Sequence, residues 1–166
     1  MKKEILLALL FLALIANVAL ADQGLVDTIL LEGLVVSPDI DVSGVIKQLG
    51  RPLNTTVSEV KNKYSENNDQ IETLFYKDLR VVVYTFNHPE YGWSKVAQVV
   101  VSGNSYGVPI EIGLIKARVV ELVGAKNTSS TEDSWYYYPS EEEPHLQLII
   151  KFNDNTVSEV IWSHMP

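Results

Sequence analysis

The sequence predicts an α+β protein made of two tandem units. Each is a short helix followed by an antiparallel β-meander, with the helices packed on one face of the sheet. Three observations point there. Apolar residues recur at helical spacing in two places after residue 36; short runs alternating apolar and polar residues follow each of them; and turn residues separate those runs. With 166 residues, 46% of them hydrophobic, the chain is long enough to bury a core of its own.

The elements follow in order. Met1-Lys2-Lys3-Glu4 is a short, net basic opening, residues 5–16 are uninterruptedly apolar, and Ala19-Leu20-Ala21 carries the small residues a signal peptidase reads. A signal peptide over 1–21 is expected, with cleavage after Ala21 and a soluble, exported mature protein, periplasmic or secreted. The alternative is a retained anchor, but Ile5 to Ala21 is 17 residues with Asn17 inside, at the lower edge of the roughly 17–25 that span a bilayer. Later apolar runs are only a few residues long, so no stable membrane insertion is expected after cleavage. Residues 22–36 stay unassigned: Leu25, Ile29, Leu30 and Leu34 suit an amphipathic turn, Leu34-Val35-Val36 an edge strand.

The first unit is expected over 37–103. Val42, Val45, Ile46 and Leu49 fall at i, i+3, i+4 and i+7, one stripe on a helix. Asp39 or Asp41 caps its start, Gly50 suits the left-handed residue at its end, and Pro52 discourages continuation. The nearness of the two aspartates to a helix start is explained by capping and the helix dipole rather than by paired-carboxylate chemistry. Strands are expected over 72–76, 80–86 and 95–102, with a fourth if 56–66 includes one. Within 80–86, Val82, Tyr84 and Phe86 share one face.

The second unit is expected over 104–166. Its helix, over 113–124, presents Ile115, Val119, Leu122 and Val123 as the stripe and closes at Gly124, while the many β-branched residues leave a strand as the alternative. Strands follow over 135–138, 146–152 and 157–162. Leu146, Leu148, Ile150 and Phe152 oppose Gln147, Ile149 and Lys151, and Asp154-Asn155 closes a hairpin.

Composition excludes several functions. The net charge is −8, and removal of the signal peptide leaves 11 basic residues against 20 acidic ones, or −9. No basic cluster exists to grip nucleic acid or an anionic bilayer. The absence of cysteine excludes disulfides, thiol nucleophiles, thiolate zinc sites and a lipidated cysteine.

Candidate chemistry is sparse. Gly103-Asn104-Ser105-Tyr106-Gly107 matches the Gly-x-Ser-x-Gly elbow, and Ser105, Asp133 and His145 follow the hydrolase order. The elbow needs a helix starting at once, however, whereas Val108-Pro109 comes next, so a linker turn is expected. His88, His145 and His164 lie far apart beside prolines or an end and read as loop histidines. Glu141-Glu142-Glu143, between Pro139 and Pro144, reads as a solvated loop. Asn54-Thr55-Thr56 and Asn127-Thr128-Ser129 fit the glycosylation sequon. No cofactor is expected. The aromatics are more telling: Trp135, Tyr136, Tyr137 and Tyr138 form one strand with a pair on each face, one pair expected in the core and the other either exposed as a binding surface or packed under the partner half, and Tyr91 and Trp93 flank a turn. Aromatics with polar tips are favoured binding anchors.

Two sets of markers carry a family resemblance. The first is Leu49-Gly50-Arg51-Pro52 with Tyr76-Lys77-Asp78-Leu79. The second is Tyr106-Gly107, Ile112-Gly113-Leu114, Leu122-Val123-Gly124, Tyr137 and Phe152-Asn153-Asp154-Asn155. Over about 40–166 they resemble the BamE/SmpA-type outer-membrane assembly lipoproteins and the tandem-repeat β-lactamase inhibitory proteins. That resemblance implies a helix-and-meander fold and a non-catalytic role in binding envelope or secreted proteins. The chain differs in having no cysteine for a lipid or for disulfides. The expected function is therefore a protein-binding module. The alternatives are a structural domain recognising a cell-wall or glycan surface and a small hydrolase using Ser105.

Overall fold

The computed structural model describes residues 29–31, 34–36, 40–123, 129–137 and 146–164. The expected signal peptide, Asp39, Gly124, Asn127, Tyr138, Glu141, Glu142, Glu143 and His145 lie outside them.

Helix α1 is Val42–Leu49. Asp41 caps it, its carboxylate accepting from the Gly44 N–H at 2.7 Å and the Ser43 hydroxyl at 2.8 Å. These bonds, the backbone one foremost, hold the Asp41 carboxyl below its ordinary range. Val45 is buried in the core, and Ile40, Val42, Ile46 and Leu49 pack half-buried against that core. The helix stops where Gly50, at φ 80° and ψ −172°, donates to the Ile46 carbonyl at 2.9 Å. A side chain is strained in that region wherever it points. Nothing lies within 4 Å of a Cβ built on Gly50, so Gly50→Ala is expected to cost roughly 1–3 kcal/mol through the backbone alone, read as a lowered urea midpoint with unchanged m-value.

Helix α2 is Lys116–Val123 and starts later than the spacing predicts. The cause is competition for backbone groups. Gly113 donates to the Val157 carbonyl at 2.8 Å, Val157 to Leu114 at 2.8 Å and Lys116 to Asn155 at 3.0 Å, which ties 113–116 to the last hairpin. The buried stripe is accordingly Val119 and Val123, while Ile115 and Leu122 are 46% and 38% exposed.

Strands β3 (Asn54–Lys61), β4 (Asn68–Tyr76), β5 (Leu79–Phe86) and β6 (Trp93–Val101) form the first meander. The second comprises β7 (Ser129–Ser130), β8 (Ser134–Tyr137), β9 (Leu146–Asn153) and β10 (Thr156–His164). A separate antiparallel pair, β1 (Ile29–Leu31) and β2 (Leu34–Val36), precedes α1. The meanders join into one eight-stranded sheet of order β3-β4-β5-β6-β10-β9-β8-β7. Its seam is the antiparallel β6–β10 pair, with Val160 opposite Val101 and Trp162 opposite Val99. The halves therefore run inward from both edges and meet at their last strands.

Each helix precedes its own meander, and both pack on one face. That face carries Leu74, Val81, Val83 and Val99 from the first meander and Leu148, Ile150, Val160 and Trp162 from the second. Val108 and Ile110, from the segment joining the halves, are buried in the same core. On β5 the alternation sends Leu79, Val81 and Val83 inward and Val82, Tyr84 and Phe86 to the other face. Two tight turns need left-handed residues, and aspartates supply them: Asp78 at φ 61° and Asp154 at φ 56°.

Candidate functional site

The non-helical face ends, at the β5–β6 turn, in a cluster of rings. Phe86 is its buried centre, 8% exposed. Trp93 lies opposite it in register, with centroids 5.4 Å apart. Tyr91 and His88 stack on Phe86 at 6.0 Å and on each other at 4.1 Å. Tyr64, from the β3–β4 loop, meets Phe86 edge-on at 6.4 Å. Tyr84 touches Trp93 at 5.7 Å, and the Lys95 ammonium lies 5.1 Å from the Trp93 ring. Large ring surface stays in water: Tyr64 is 76% exposed, Tyr91 58% and Trp93 40%. An open cleft of about 580 Å³ runs beside it, between Ile40 and Asp41 at the start of α1 and Phe86, Asn87, Trp93 and Ser94.

A polar network holds this cluster from below. Asp69, 3% exposed, accepts from the Asn62 side-chain amide at 2.7 Å, the Asn87 N–H at 3.0 Å and the Tyr84 hydroxyl. Asn62, also buried, donates to the Asn87 carbonyl at 3.0 Å and accepts from the Tyr64 N–H at 2.7 Å. The loop carrying Tyr64 is thereby fastened to the turn carrying His88 and Tyr91. Burial pushes the Asp69 carboxyl up, but the bonds from Tyr84, Asn87 and Asn62 outweigh it, so its pKa lies below the ordinary value. Burial first, then donation to Asp69 and the charge of that carboxylate, pushes the Tyr84 phenol up to about 12.

The aromatics expected from the sequence separate into two groups. Tyr91 and Trp93 stand in the exposed cluster. Trp135 and Tyr137 face the helices: Trp135 meets Phe152 edge-on at 4.7 Å against the core, and Tyr137 is 7% exposed. Tyr136 is half-buried on the opposite face, and Tyr138 lies outside the described residues. Tyr64, His88 and Phe86 are not singled out as site residues by the sequence: Phe86 and His88 join Tyr91 and Trp93 through the register of the β5–β6 hairpin, and Tyr64 reaches them from the β3–β4 loop.

Ser105 stands in a turn of the segment joining the halves and donates to Asp78 at 2.6 Å. Asn104 clips the same segment, its amide exchanging bonds with the Ile112 N–H and carbonyl at 2.8 and 3.0 Å. Gly103 is required by close approach: a Cβ there would meet the Asp78 side chain at 2.4 Å. This is the geometry of a fastened turn, and α2 starts eleven residues after Ser105. Among the described residues no group of three or more His, Cys, Asp or Glu is placed to hold a metal, and no helix is long and apolar enough to cross a membrane.

No protein-family profile, curated protein or solved structure matches the chain.

Proposed function

We infer that the chain is a non-catalytic binding module for an envelope or secreted protein, contacting it through Tyr64, Tyr91 and Trp93. The observation that carries this reading is the amount of aromatic surface kept in water on a fastened base. Rings with polar tips bury much area for little side-chain entropy, which is why they anchor interfaces. Fixing them beforehand removes part of the ordering cost of association. Export, from the Met1–Ala21 pattern, and the resemblance to the assembly lipoproteins and inhibitory proteins supply the setting.

Affinity capture tests it, using the full chain with a C-terminal tag as its host processes it. A stoichiometric protein partner is expected with the parent chain and not with Tyr91→Ala/Trp93→Ala. Ser105→Ala should retain it. Retention of glycans or cell-wall fragments instead, also lost in the double variant, would replace the protein partner with a sugar surface. Ester hydrolysis by the parent chain, lost in a folded Ser105→Ala chain, would return weight to the hydrolase reading.

A further inference from the structure

We draw no further inference here: the strongest candidate, the cleft between Asp41 at the start of α1 and Thr85 and Ser94 of the β5–β6 hairpin, lies at a helix N-terminus where the Asp41 carboxylate already caps α1 and the two hydroxyls bond each other, and no other group among the described residues points to a ligand there.

Discussion

Trp162→Ala is expected to cost about 3–5 kcal/mol, enough to bring a domain of ordinary stability close to unfolding. Trp162 is 2% exposed on β10, at the seam where the two meanders join. It lies opposite Val99 on one side and Leu148 on the other, with the helices over the same face. Truncation removes the largest fully buried side chain among the described residues. The surrounding β-sheet backbone can close the resulting cavity only partly, so the transfer and cavity costs add. Urea denaturation followed by far-UV circular dichroism reads the effect. A loss below about 1 kcal/mol would mean that the seam does not enclose the ring.

Asp69→Ala is expected to destabilise by about 2–4 kcal/mol near neutral pH, since it strands the Asn62 amide, the Tyr84 hydroxyl and the Asn87 N–H together. The pH dependence has two limbs with opposite origins. Asp69 has a folded pKa below its ordinary 3.8. Its contribution is therefore complete above that value and is lost as pH falls through the folded pKa. Tyr84 has a folded pKa raised from 10.0 to about 12. Its contribution is complete below 10 and is lost as pH rises toward 12. Chemical denaturation at a series of pH values should show Asp69→Asn flattening the acid limb and Tyr84→Phe the alkaline one. Unchanged limbs in both variants would contradict the role given to this pair. Because the network fastens Tyr64 to the turn of His88 and Tyr91, Asp69→Ala should also weaken partner capture.

How much was legible in the sequence differs element by element, for physical reasons. Helix α1 was readable because Asp41, the Val42-to-Leu49 stripe and Gly50 are local signals that no tertiary contact overrides. Helix α2 was readable in kind but not in its start, since the Gly113-to-Lys116 backbone is taken by β10 and the Asp154-Asn155 turn. Strand β3 left only a conditional trace: both its faces are in water, so no alternation marks it, and only its β-branched residues do. The β6–β10 seam joins residues about sixty positions apart, a pairing that no local pattern records.

The site divides the same way. Tyr91 and Trp93 stood out as aromatics beside a turn. Trp135 and Tyr137 matched them in composition, and only the direction of the pleat relative to the helices sends these two inward. Asp69 was hidden in the polar run Glu66-Asn67-Asn68-Asp69-Gln70, which reads as solvated loop until Tyr84 and Asn87 close over it.

The division between the two aromatic groups is the centre of the account, and the captured partner, once purified, tests it most directly. Calorimetric titration would compare the parent chain, Tyr91→Ala/Trp93→Ala and Trp135→Ala, each with its urea unfolding curve. The prediction is a loss of affinity of at least about a hundredfold in the first variant with little change in stability, and lowered stability with near-parent affinity in the second. Parent-like affinity in a folded Tyr91→Ala/Trp93→Ala chain, with affinity lost in a folded Trp135→Ala chain, would contradict it and move the contact surface to β8.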